Sequence, residues 1–146
     1  MTPDTLFQIA NPLALLGWIV LIATRLAPRL TNLIAATILP LLLAVAYSAL
    51  ILAYWSSAFG GYGSLPEVMA LFTNPHIALA GWVHYLAFDL FVGAWAVRTA
   101  RAEGIDHLLV LPHLALILLF GPAGFLTFTA MRAAFRPRTT EDGAAA

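Results

Sequence analysis

Four long apolar runs, almost free of charge, occupy most of this 146-residue chain, at about residues 6–26, 33–55, 77–100 and 108–131. A bilayer core about 30 Å thick asks for roughly 20 apolar residues per helix, so each run is long enough to cross it. The runs predict an all-α fold: an integral membrane bundle of four transmembrane segments, the fourth interrupted by Gly121-Pro122. One helical membrane domain is expected over residues 1–135, with residues 136–146 as a disordered tail. Composition leaves little alternative, because charged residues make up 10% of the chain and hydrophobic ones 62%. A soluble domain carries about 25% charged residues. An ordinary cytosolic enzyme, a nucleic-acid binder and a disordered chain are therefore excluded.

Absent residue types narrow the chemistry further. The chain has no Cys, so disulfides, thiol nucleophiles, thiol–quinone relays and c-type haem attachment are ruled out. All seven basic residues are Arg, and without Lys no Schiff base to retinal or pyridoxal phosphate can form. A formal net charge of +0 gives no electrostatic reason to expect nucleic acid. The start, Met1-Thr2-Pro3-Asp4, lacks the basic stretch of a secretory signal, so the first run is expected to be retained.

Within the first run, Asn11-Pro12 marks either a kink in one helix starting near Asp4 or a turn before a shorter span; one kinked helix is expected. The second run is expected to enter through Thr31-Asn32 as a helix cap, with Pro40 early in it. Arg25 and Arg29 flank the first loop, and Arg98 and Arg101 flank the third, whereas the loop from Ser56 to His76 has no Arg. The positive-inside rule then puts loops one and three in the cytoplasm and the second loop outside. Arg132, Arg136 and Arg138 fall on the wrong side if the fourth run crosses, and on the right side if it bends back at Gly121-Pro122. The plain four-span arrangement is the expectation.

The chemistry-bearing stretch is Gly81-Trp-Val-His-Tyr-Leu-Ala-Phe-Asp-Leu-Phe-Val-Gly-Ala-Trp95. At 1.5 Å per residue Asp89 lies roughly 18 Å from Ile77, near the bilayer midplane. An unpaired carboxylate there costs a few kcal/mol, so Asp89 should face the bundle and carry a function. Tyr85 and Gly93 share its helical stripe, with Trp82 two turns away. His84 stands about 140° around the helix, which precludes a direct bond but leaves two walls of one wide cavity. His113, in the fourth run, lies nearer the depth of Asp89 and is a candidate contact for it. Glu67, on the outer loop, is a candidate for the same mouth as His84. Trp82 and Trp95 share the helix of Asp89 and are candidate pocket walls.

Two cofactors can be weighed by spacing. Bis-His haem requires two His at one depth, and His84 and His113 differ by roughly 15 Å. No His-x-x-x-His or Glu-x-x-His pair presents two ligands on one helical face, although Glu67, His84, Asp89 and His113 together would make a metal set if they converged. Neither a metal nor another cofactor is expected.

The run Gly81-Trp82-x-His84-x-x-x-x-Asp89-Leu90-Phe91, preceded by Leu65-Pro66-Glu67 and followed by Phe120-Gly121-Pro122-x-Gly124, resembles the small membrane proteins of the abscisic-acid-deficient type. Plant members of that family are required for neoxanthin synthesis. The resemblance covers about Leu6 to Arg132, and the all-Arg basic set and short loops look like its bacterial branch. It implies a multi-pass protein of the bacterial inner membrane and a carotenoid or related isoprenoid ligand. Its expected activity is neoxanthin-synthase-like: epoxide opening with double-bond rearrangement and no net redox change. On that reading Asp89 is the acid and His84 the base, while Trp82, Tyr85 and Trp95 stabilise positive charge and bind substrate with Glu67 and His113. The alternative is a non-catalytic membrane protein that binds carotenoid or supports a biosynthetic enzyme. The bilayer, a second copy and a carotenoid-pathway enzyme are the partners to expect.

Overall fold

A computed structural model describes residues 1–25 and 28–135; the tail expected to be disordered lies outside the described residues. Six helices follow one another: α1 (Pro3–Ile22), α2 (Pro28–Ser57), α3 (Leu65–Leu71), α4 (Pro75–Ala102), α5 (His107–Phe120) and α6 (Pro122–Phe135). Of these, α1, α2 and α4 are long and apolar enough to cross a membrane. The protein is an all-helical membrane protein.

Local chemistry explains most boundaries. Thr2 caps α1 by accepting from the Thr5 N–H, and the helix runs through Pro12. The second long helix does not begin at a Thr31-Asn32 cap. Pro28 occupies its first turn, where a missing N–H costs nothing, and the Thr31 hydroxyl instead donates to the Val20 carbonyl at 3.4 Å. Within α2, residues Ile34–Ile38 form a π turn immediately before Pro40. The wider turn takes up the ring and the missing donor of that proline. Asn74 opens α4 by accepting from the His76 and Ile77 N–H groups, and Asp106 opens α5 by accepting from Leu108 N–H at 2.7 Å.

The fourth apolar run departs from the expected single span. It is two helices of 14 residues, each about 21 Å long and so short of the bilayer core. They lie side by side: His113 on α5 hydrogen-bonds Thr127 on α6 at 3.0 Å, although 14 residues separate them along the chain. Gly121 makes the reversal with φ +30, a left-handed backbone that glycine adopts without a Cβ penalty. The end of α6 returns to the end of α4, where Arg132 Nε donates to both carboxylate oxygens of Glu103 at 2.7 Å. Its Nη2 adds a third bond to the same carboxylate.

This hairpin brings Arg132 to the end of the bundle that holds Arg25 and Arg101. Arg25 pairs with Asp106 at 2.6 Å, Arg101 donates to Thr24 Oγ1 at 3.0 Å, and the His107 ring nitrogen donates to the Ile22 carbonyl. The first loop, the third loop and the end of α6 are thereby tied together. Because the chain has no Cys, single cysteines report sidedness cleanly. Cysteines at Gly104 and Ala134 are expected to react with a membrane-impermeant maleimide from one side, and one at Ser64 from the other. Opposite-side labelling of 104 and 134 would mean that α5 and α6 form a crossing span.

Packing falls into two cores. Near the arginine end, Trp18, Leu21, Leu39, Leu90, Ile117 and Phe128 join α1, α2, α4 and the hairpin. Toward the other end, Ala10, Ala14, Leu43, Val83 and Leu86 join α1, α2 and α4. The contacts Asn11–Trp82 and Trp18–Gly93 rise together in sequence, so α1 and α4 run parallel. They approach closely: a Cβ on Gly93 would lie 2.8 Å from the Trp18 ring.

Candidate functional site

Asp89 sits midway along α4, with 8% of its surface exposed. The tip of the α5–α6 hairpin covers it, so closely that a Cβ on Gly121 would stand 2.7 Å from Asp89 Oδ1. Its other oxygen, Oδ2, is buried without a hydrogen-bond partner. Tyr85, one turn earlier on the same face, donates its phenol proton to the Leu118 carbonyl at 2.6 Å. The phenol and the Asp89 carboxyl also interact, though the phenol's short bond goes to Leu118. The bond to Leu118 satisfies one carbonyl of the last turn of α5, a group that hydrocarbon would leave unpaired.

Outside Tyr85 lies a groove of about 520 Å³, walled by Asn11, Pro12, Leu15 and Trp18 of α1, by Trp82, Tyr85 and Leu86 of α4, and by Leu118 and Leu119 of α5. Its surface is largely apolar and it is an open groove, not an enclosed cavity. The Trp82 indole N–H donates to Asn11 Oδ1 at 2.8 Å. Ring centroids of Phe7, Trp82 and Tyr85 follow at 5.8 and 5.3 Å, an aromatic shelf leading toward Asp89. Such a shelf suits a flat conjugated ligand, offering ring faces to an apolar chain and to any positive charge that develops on it. Trp18, 2% exposed, backs this wall, and its indole N–H is buried with no acceptor.

The other sequence candidates stand elsewhere. His84 is on the far side of α4, stacked on Phe88 at 4.5 Å and edge-on to Tyr47 at 5.4 Å, so it shares no cavity wall with Asp89. His113 is held by Thr127 and makes no bond to Asp89. Trp95 packs against Phe125 and Phe128 of α6. Glu67 is a helix-capping residue: its N–H donates to Ser64 Oγ at 3.4 Å and its Oε2 accepts from the Gly63 N–H at 3.1 Å. Among the described residues no three His, Asp or Glu side chains stand close enough to hold a metal ion. Sequence reasoning missed Asn11, Trp18 and the Leu118 carbonyl. An amide within an apolar run carries the same signal as Asp89, a polar group that must find a partner.

Residues 5–128 match the family model described as ABA DEFICIENT 4-like. The chain belongs to that family. No curated protein and no solved structure matches the chain. The matched span takes in Asn11, Trp82, Tyr85, Asp89, the hairpin tip and the first half of α6.

Proposed function

We propose that this protein is a membrane-embedded isomerase of a carotenoid or related isoprenoid, opening an epoxide and rearranging the adjoining double bonds. Membership of a family named for abscisic-acid deficiency supports a role related to the carotenoid and abscisic-acid pathway. The observation that carries the reading is the open, apolar groove whose aromatic wall reaches Tyr85, one helical turn from the buried Asp89. A hydrophobic substrate dissolved in the bilayer enters such a groove without crossing water.

The reaction balances on one proton. Tyr85 exchanges the Leu118 carbonyl for the epoxide oxygen and gives it a proton, and Asp89 replenishes the phenol. The C–O bond to the ring carbon next to the polyene breaks, leaving an alcohol and a cation delocalised over the chain. Loss of the proton from the adjacent polyene carbon, back through Tyr85 to Asp89, yields the allene and restores both groups. The faces of Trp82 and Tyr85 stabilise the intervening cation. His84 lies too far around α4 to act as the base, so one carboxyl serves both steps. Tyr85→Phe removes the relay, and turnover is expected to fall at least about 100-fold.

The second reading, a non-catalytic carotenoid binder that supports a pathway enzyme, draws on the same geometry: no second titratable side chain besides Tyr85 lines the groove. Purified protein in detergent, incubated with violaxanthin and followed by chromatography and mass spectrometry, separates the two. Conversion to an allenic isomer of unchanged mass is expected. Pigment bound but unconverted would leave the binder. The arginine-rich end fits the cytoplasmic face of a bacterial inner membrane by the positive-inside rule, with several passes through the bilayer.

A further inference from the structure

We infer that Asn11 determines specificity in the groove: its amide donates a hydrogen bond to an oxygen on the ligand's end group, so the groove prefers oxygenated isoprenoids to plain hydrocarbons. The inference rests on the proposed reading of the groove as an isoprenoid site.

Asn11 lies about 12 Å along the apolar helix α1 from Pro3, at a depth where an unmet amide is costly. Only one of its four hydrogen-bonding positions is used, Oδ1 accepting from Trp82 Nε1 at 2.8 Å. That bond also settles which way the amide points. Indole nitrogen only donates, so a flipped amide would set two donors against each other. With the oxygen pinned, the planar NH2 group is pinned too, and neither of its two protons has an acceptor in the structure.

No other unspent donor faces the groove. The Tyr85 phenol is bonded to Leu118, the Trp18 N–H is buried away from the surface, and the remaining wall is hydrocarbon or aromatic. A ligand hydroxyl, beyond the oxygen that Tyr85 protonates, therefore finds its donor at Asn11 among the described residues of the groove or finds none, and an unpaired one costs affinity. The spacing along α4 is informative as well. Trp82, which holds Asn11, is three residues from Tyr85, a rise of about 4.5 Å. Two oxygens carried on one six-membered ring span a similar distance, so a ring hydroxyl at Asn11 presents a neighbouring ring oxygen to Tyr85.

The test compares zeaxanthin, which carries a hydroxyl on each end ring, with β-carotene, which has the same polyene and rings without them. Binding to the purified full chain in detergent is read by tryptophan quenching. Wild type is expected to bind zeaxanthin about tenfold more tightly. Asn11→Leu should abolish the difference, bringing zeaxanthin and β-carotene to one affinity, whatever the new side chain does to both. Trp82→Phe, which frees the amide without removing it, should erode the preference and guards against a folding defect at position 11. Equal affinity of wild type for both pigments, or a preference that survives Asn11→Leu, overturns the inference while the groove stands. Failure of wild type to bind either pigment overturns the groove reading along with it.

Discussion

Asp89→Asn is expected to lower turnover of an epoxy-carotenoid by about two to four orders of magnitude while the protein still folds and binds pigment. The substitution keeps the shape of the side chain and its capacity to hydrogen-bond Tyr85. It removes the proton that reaches the epoxide oxygen through Tyr85, and the carboxylate that takes a proton back. A packing role for Asp89 makes a different forecast. If the carboxyl merely steadies the hairpin tip, the amide should serve as well, and Asp89→Leu should be tolerated too, because an apolar group of similar size often replaces a buried polar one at little cost. The buried Oδ2 has no short hydrogen bond, which favours the catalytic forecast, since a group kept only for packing would be expected to have its bonds filled. Turnover measured beside pigment binding and thermal stability separates the cases. A folded Asp89→Asn protein with near-native turnover would sink the acid role.

Asp89 was legible because a carboxylate midway along an apolar helix has so few physical excuses. The separation of about 140° between His84 and Asp89 is also legible in the spacing, but the expected shared cavity is not there, because His84 faces Tyr47 and Phe88. In the sequence Asn11 reads as punctuation beside Pro12, which hides that its amide needs a partner. That partner, Trp82, lies 71 residues away. No pattern within one helix reveals such a pairing. What positions Asn11 against Trp82 is the parallel packing of α1 on α4, a property of the tertiary fold.

The membrane helices themselves were written in hydropathy, and three of the four apolar runs became helices of spanning length. The fourth run could not be divided by hydropathy, because Gly121 and Pro122 interrupt a backbone pattern while leaving the apolar character intact. Charge carried the better signal. Arg132 belonged with the other arginines, and its bonds to Glu103 account for the return of α6 to that end. A carboxylate meeting a guanidinium through several N–H groups is also stronger than a single contact, which helps a short hairpin hold against the bundle.

Gly124→Ala should open that hairpin. A Cβ there would lie 2.2 Å from the Ile117 nitrogen and 2.6 Å from its Cα, and a backbone cannot swing aside as a side-chain tip can. Helices α5 and α6 must separate by more than an ångström, which loosens the His113–Thr127 bond and unseats the cover over Asp89. The expected cost is about 3 kcal/mol, or roughly 10 °C in melting temperature for a chain of this size. Gly104→Ala is the control, since nothing lies within 4 Å of its added Cβ and only its φ of +70 opposes the change, at about 1 kcal/mol. The distinguishing quantity is the ratio between the two, measured by thermal unfolding in one detergent. If Gly124→Ala melts no lower than Gly104→Ala, α5 and α6 do not pack as described, and the covered acid beneath their turn loses its structural basis.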